Sequence, residues 1–314
     1  MSILLAADFT DAEWDAWWPA LRAALPAETL VRAGPGLATS ERSDVEIALV
    51  ANPPLGLMAR LPRLRLIQSL WAGVDRLLAD PSLPRDVPLA RMVDPVMSEA
   101  IAQTALWAVL GLHRGYFDYA AQQQRREWQQ LPQRRADEVA VAVLGLGEMG
   151  RAAVLRLAGN GYRVTGWSTR PVELARVTTC SGATALGSVL GQSEIVVNLL
   201  PLTPATQGLF AAPTFAQMRR GASLVNLGRG GHVVEPDLLR ALAAGQLRRA
   251  VLDVFASEPL ARDHPFWPHP QVSVLPHIAA LTDPRSAAQV VARNVNALRN
   301  GTPLAHLVDR ARGY

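Results

Sequence analysis

Short apolar runs alternate with stretches of helical periodicity along this chain. Runs at Ile3–Ala7, Ile47–Ala51 and Leu66–Ser69 are separated by turns carrying proline and glycine. Others follow at Arg163–Gly166, Ile195–Leu199, Ser223–Asn226, Ala250–Val254 and Val272–Leu275, each ending in a turn and a polar group. Alternation of this kind predicts parallel sheets covered by helices, with the C-terminal strand ends sharing one edge. From Met97 to Gln124 the pattern is helical: Ala100, Ile101, Thr104, Ala105, Ala108, Val109 and Leu112 recur on more than one face, as expected of a helix bridging domains or subunits. The stretch Pro284–Leu298 is helical again, and in a doubly wound arrangement it could return to the first domain.

One run carries a further signal. Val139 to Gly150 reads as an apolar strand ending in Gly-Leu-Gly-Glu-Met-Gly, placed mid-chain where a preceding domain has already formed. Gly145 permits the tight turn out of the strand, Gly147 lets the backbone approach a pyrophosphate, and Gly150 lets the next helix, Arg151–Ala158, pack closely. With Glu148 and Met149, these residues form the expected phosphate-binding turn at a helix N-terminus. Glycine-rich turns also occur for packing alone, so the surrounding residues must decide.

Composition narrows the chemistry. The 314 residues are 49% hydrophobic, enough for about two domains. All 31 basic residues are arginine, and the net charge is +4. The pairs Arg125-Arg126, Arg134-Arg135 and Arg248-Arg249 are scattered, which argues against a nucleic-acid surface. Absence of lysine excludes Schiff-base chemistry, a P-loop lysine and a lysine proton donor. Cys180 is the only cysteine, so there is no intrachain disulfide and no multi-thiolate metal site; no metal is expected. The Ile3–Ala7 run has no basic residue ahead of it and is closed by Asp8, unlike a signal peptide. No stretch reads as long and apolar enough to span a bilayer, and a cytoplasmic location is expected.

About twenty residues beyond the first glycine, an NAD site carries an acidic residue for the ribose 2′-hydroxyl. Here the chain reads Trp167-Ser168-Thr169-Arg170. A carboxylate would repel a 2′-phosphate, whereas Ser168, Thr169 and Arg170 can hydrogen-bond and neutralise one. The expected cofactor is NADP(H) in preference to NAD(H). Three polar residues then fall on the same strand edge: Arg229 after Ser223–Asn226, Glu258 after Ala250–Val254, and His277 after Val272–Leu275. Hydride addition to a carbonyl leaves charge on oxygen, and histidine supplies the proton it needs. A carboxylate such as Glu258 favours the protonated ring, and the planar fork of Arg229 can hold a substrate carboxylate or the polarised carbonyl. Asp253 could cap a turn or receive the nicotinamide carboxamide.

Taken in order, Gly-Leu-Gly-Glu-Met-Gly, Asn-Leu-Gly-Arg-Gly, Asp-Val-Phe-Ala-Ser-Glu-Pro and Pro-His-Ile-Ala-Ala resemble the D-isomer-specific 2-hydroxyacid dehydrogenases over nearly the whole chain. Gln68–Asp75 and the ending Val-Asp-Arg-Ala-Arg-Gly-Tyr resemble the glyoxylate/hydroxypyruvate reductase branch. The resemblance implies two doubly wound α/β domains with parallel sheets, Rossmann-like or flavodoxin-like. A substrate domain, 1–95 plus 284–314, would receive a cofactor domain, 96–283, as an insertion. It also implies reduction of a small 2-oxo acid to the 2-hydroxy acid, with Arg229 on substrate and Glu258 and His277 delivering the proton. The backbone of Ala72 and Gly73 would take the substrate carboxylate, Leu200 and Pro201 would border the nicotinamide, and the protein would be a homodimer joined through the long helix region. Trp128 could reach a partner's active site, or be packed in a core. Trp71 stands where this loop carries a small residue in relatives, and an indole there would narrow the pocket or stack on substrate.

Two other readings compete. The glycine turn with Gly-Trp-Ser-Thr-Arg-Pro also resembles β-hydroxyacid dehydrogenases and imine reductases, but their motif begins the chain and the former use a catalytic lysine. A non-catalytic, dinucleotide-sensing binding module shares the expected fold, and fold alone does not exclude it.

Overall fold

The structure is a computed structural model that describes residues 2–34 and 43–314. The chain divides into two compact units, Met1–Val96 with Thr282–Tyr314, and Met97–Leu281.

The first unit holds a five-stranded sheet built from β1 (Ser2–Ala7), β2 (Thr29–Arg32), β3 (Val45–Ala51), β4 (Leu66–Ser69) and β5 (Leu89–Ala90) in the order β2-β1-β3-β4-β5. Every pairing is parallel. This order is the flavodoxin-like doubly wound arrangement. The central strands β1, β3 and β4 are buried along their length apart from the end of β1, which is why they are mainly apolar, and the polar Glu46, Gln68 and Ser69 among them are buried too. The helix Asp11–Ala24 opens with a capping box in which Thr10 and Glu13 satisfy each other's backbone amides. The C-terminal helix Pro284–Asn300 returns to this unit and is locked there by Asn294. That buried amide donates to Gln68 Oε1 at 2.7 Å, while its oxygen accepts from the Ala305 amide at 2.8 Å. Arg299 forks onto Glu28 with two 2.8 Å hydrogen bonds and also pairs with the buried Glu46.

The second unit holds a seven-stranded parallel sheet. Its strands are β6 (Ala140–Leu144), β7 (Arg163–Ser168), β8 (Thr178–Ser181), β9 (Ile195–Asn198), β10 (Ala222–Asn226), β11 (Leu247–Leu252) and β12 (Val272–Val274), in the order β12-β11-β10-β9-β6-β7-β8. The order reverses at β6 and β9, the topological switch point where ligands of doubly wound folds bind at the carboxyl ends. A core of Leu144, Val196, Leu224, Phe210, Phe215 and Phe266 fills one face of this sheet. The helix Pro95–His113 contributes Ile101, Ala105, Val109 and Leu112 to the other.

Several elements depart from the sequence reading. The helical stretch from Met97 to Gln124 is two helices, Pro95–His113 and Tyr116–Arg125, broken at Gly115, which adopts φ +73°. The helix after the glycine turn spans Glu148–Gly159, and β2, β5 and β8 were not legible as strands because they are short, mostly edge elements. Contrary to the expectation of no such stretch, Pro95–His113 is long and apolar enough by length and composition to cross a membrane. Its apolarity has another cause: one face packs into the core named above. Trp128 is 97% exposed, so the core-packing alternative is overturned.

Candidate active site

The glycine turn meets the geometric demands of a phosphate cradle. Gly145 leaves β6 at φ +98°, and a Cβ there would lie 2.7 Å from the Leu199 carbonyl oxygen. At Gly150 a Cβ would stand 1.7 Å from the Gly145 oxygen, so the helix Glu148–Gly159 can approach this closely only with glycine. Gly147 is different. No atom lies within 4 Å of where its Cβ would be, which leaves open space at the helix N-terminus. Amides of the first helical turn, those of Glu148 and Met149 included, lack intrahelical acceptors and are available to an anion. Glu148 is exposed, and Met149 is half-buried against the core.

At the end of the neighbouring strand β7, Ser168 Oγ donates to the Arg170 carbonyl at 2.6 Å and tightens the turn. Thr169 and Arg170 are exposed, and the Arg170 guanidinium makes no hydrogen bond or ion pair among the described residues. The scattered arginine pairs are spent otherwise: Arg125, Arg134, Arg135, Arg248 and Arg249 each face an acidic partner.

Glu258 and His277, predicted from the pattern, meet beyond β11 and β12. His277 Nδ1 lies 2.7 Å from Glu258 Oε2. Glu258 Oε1 in turn accepts the Phe255 amide at 2.9 Å, so the carboxylate is held at both oxygens. His277 adopts φ +54°, a left-handed backbone uncommon outside glycine. It is kept there by Asp253, whose backbone oxygen accepts the His277 amide at 2.9 Å. The Asp253 side chain, almost wholly buried, accepts the amides of Ile278 and Ala279 at 2.8 and 3.0 Å. Burial pushes its pKa up, opposed by those two amides and by the His277 charge. Of the two roles read for Asp253, turn capping describes these bonds. His277 Nε2 makes no hydrogen bond among the described residues.

Arg229 reaches the same region because Gly230 lets its loop lie against the β11 loop. A Cβ on Gly230 would fall 1.8 Å from the Phe255 carbonyl carbon. Around Arg229, sequence reasoning missed three buried residues: Asn198, Asn226 and His232. Asn198 and Asn226 each end a strand, which was the available signal. The Leu200 amide donates to Asn198 Oδ1 at 3.2 Å, and the Pro201 carbonyl accepts from Thr206 Oγ1 at 2.7 Å.

In the first unit, the loop after β4 is folded by Ser69, whose hydroxyl accepts the Trp71 amide at 3.0 Å and donates to the Trp71 oxygen at 2.9 Å. The amides of Ala72 and Gly73 make no hydrogen bond among the described residues, as a carboxylate nest requires. Trp71 packs edge-on against Phe9 and Trp17, with centroids 6.0 Å apart in each case. It lines a small pocket together with Ser69, Gly73, Asn52, Leu55 and Arg76.

The sequence profile of the D-isomer specific 2-hydroxyacid dehydrogenase NAD binding domain matches residues 106–279. The chain belongs to this family. It is 38% identical, over all of both chains, to glyoxylate/hydroxypyruvate reductase A of Serratia proteamaculans (strain 568). Among solved structures it is similar to a D-isomer specific 2-hydroxyacid dehydrogenase from Xanthobacter autotrophicus Py2 in complex with NADPH and MES. That match has a TM-score of 0.94 and 39% identity, and covers 100% of this chain and 99% of the other. An NADPH-dependent glyoxylate/hydroxypyruvate reductase from Sinorhizobium meliloti, in complex with NADP and sulfate, matches with a TM-score of 0.94 and 35% identity over the whole of both chains. Members of this family are oxidoreductases, and the matched span contains the glycine turn and strands β6 to β12.

Proposed function

We propose that this dehydrogenase reduces a small 2-oxo acid, of the glyoxylate or hydroxypyruvate type, to the 2-hydroxy acid with NADPH. The observation that carries the reading is the 2.7 Å contact of His277 Nδ1 with Glu258 beside an Nε2 without a protein partner among the described residues. Glu258 takes the Nδ1 proton as acceptor, which orients the ring and favours its protonated form. Nε2 is then the atom that gives a proton to the developing alkoxide. The chemistry a bound NADPH supplies is the hydride for the carbonyl carbon. Arg229 holds the substrate carboxylate or carbonyl in a fixed plane. Gly145, Gly147 and Gly150, with the amides of Glu148 and Met149, hold the pyrophosphate, and Ser168, Thr169 and Arg170 hold the 2′-phosphate. Leu200 and Pro201 flank the nicotinamide.

The same reading makes the protein a cytoplasmic homodimer, with the exposed Trp107, Tyr116 and Trp128 as candidates for the covered face; light scattering checks the mass. Function is tested by following NADPH and NADH oxidation with a panel of 2-oxo acids. Glyoxylate or hydroxypyruvate should consume NADPH far faster than NADH. Arg170→Ala should raise the NADPH KM by roughly 10- to 100-fold, the worth of one charged hydrogen bond. Equal use of NADH, or an unchanged KM in the variant, sinks the 2′-phosphate assignment. NADPH binding without turnover of any 2-oxo acid would favour the dinucleotide-sensing module instead.

A further inference from the structure

His232 is wholly buried in the turn that follows Arg229, and its ring is bonded on both sides. Nδ1 faces the Arg229 backbone N–H at 3.2 Å and the Asn198 side-chain amide at 2.9 Å. Both of these groups are donors. The Asn198 orientation is set because its oxygen accepts the Leu200 amide at 3.2 Å, leaving its nitrogen toward His232 and toward Asn226 Oδ1 at 2.9 Å. Asn226 is set likewise, its nitrogen donating to the Arg229 carbonyl at 3.0 Å and its oxygen accepting the Gly228 amide at 3.2 Å. Nδ1 of His232 therefore carries no proton. On the far side of the ring, Nε2 lies 3.2 Å from the Pro201 carbonyl oxygen, an acceptor, so Nε2 carries the hydrogen.

We propose that His232, as a neutral Nε2–H imidazole, is a positioning residue that couples the Arg229 loop to the Leu200–Pro201 loop. It thereby sets the spacing between the substrate clamp and the nicotinamide wall. The proposal rests on the roles given above to Arg229 and Pro201. Physical chemistry favours histidine here because one rigid ring must accept at one edge and donate at the other. A protonated ring would turn Nδ1–H against two donors in a site without water-facing surface. Asparagine can place an acceptor near the Nδ1 position but cannot reach Pro201. Glutamine can place a donor near the Nε2 position but leaves the Arg229 amide and Asn198 without their acceptor.

His232→Asn and His232→Gln therefore divide the two halves of the strut. Steady-state kinetics with glyoxylate and NADPH should show His232→Asn raising the NADPH KM about 10-fold with little change for glyoxylate. His232→Gln should raise the glyoxylate KM by about 10- to 100-fold with little change for NADPH, since it strands two buried donors. Heat-melting curves confirm that both variants fold. In the wild-type protein labelled with ¹⁵N-histidine, one imidazole should show the Nε2–H tautomer at neutral pH, and that signal should vanish in both variants. Parallel changes in the two constants, wild-type constants in both variants, or an Nδ1–H or doubly protonated ring would overturn the coupling role while leaving the reductase reading intact. A wild-type enzyme that oxidises no NADPH with glyoxylate or hydroxypyruvate would overturn both together.

Discussion

His277 combines an uncommon backbone with a fixed ring. Its φ of +54° is held by the Asp253 carbonyl and by the two amides that the Asp253 carboxylate caps, and its Nδ1 is held by Glu258. The Glu258 contact commits Nδ1 and leaves Nε2 without a protein partner among the described residues. On the proposed function, replacing the ring removes the proton source without touching the glycine turn. His277→Ala should lower kcat roughly 100- to 10,000-fold and leave the NADPH dissociation constant unchanged, as measured by fluorescence titration beside steady-state assays. A variant with wild-type kcat would remove His277 from the proton-donor role. At this scale the sequence was informative for the groups to which the proposed chemistry is assigned: Arg229, Glu258 and His277 follow strands with the residue types that reading needs, and the structure brings Glu258 and His277 into contact. It said little of the groups that hold the Arg229 loop. Asn198 and Asn226 had only their places at strand ends to mark them and His232 had no mark at all, because their partners are one another and backbone groups brought near only by folding.

Among the elements, two close approaches decide where the site can form. The helix Glu148–Gly159 meets β6 at Gly150, and the Arg229 loop meets the β11 loop at Gly230. The first was readable from Gly-x-Gly-x-x-Gly, which has a known mechanical reason. The second was not, since one glycine in a loop does not announce its neighbour. Gly230→Ala should push the Arg229 loop away from Phe255, costing about 1–3 kcal/mol in denaturant unfolding. A displacement near 1 Å is worth about 100-fold in turnover, so kcat/KM for glyoxylate should fall by at least that order. Wild-type kinetics in this variant would show that the contact positions nothing. Element boundaries followed the same logic. Buried strands such as Leu66–Ser69 and Ala222–Asn226 were legible from their apolar runs, whereas Thr29–Arg32 and Thr178–Ser181 have no buried residue to mark them. The break at Gly115 was hidden because apolar positions continue in phase on both sides of it.

Across the whole molecule, the first unit is assembled from both ends of the chain, and its C-terminal helix is fastened by an ion triad. Arg299 bonds bidentately to Glu28 and also to Glu46, which is only 7% exposed. The Glu28 carboxyl is held below its ordinary value of 4.5, chiefly by the Arg299 hydrogen bonds. A depressed carboxylate stabilises the fold above the unfolded pKa, and that contribution fades as pH falls through the folded one. Glu28→Gln should therefore cost about 1.5–3 kcal/mol near neutral pH, and the gap from wild type should close as pH drops below 4.5. Urea unfolding at a series of pH values checks this; a gap that widened in acid would contradict the assignment.

Sequence alone determined the fold class and the family, and it singled out the glycine turn and the side chains to which the proposed chemistry is assigned. Each of these is written in local terms: apolar runs that must be buried, glycines that a turn demands, and residue types that a carbonyl reduction requires. Only the tertiary structure decided which hydrogen bonds hold those side chains, which glycines stand against a neighbouring loop, and that the C-terminal helix is clamped to the N-terminal sheet through Gln68 and Glu28. The physical reason is range. Propensity and periodicity act over a few residues, whereas a buried polar group must find its partner wherever packing brings one, here as far along the chain as Gln68 is from Asn294.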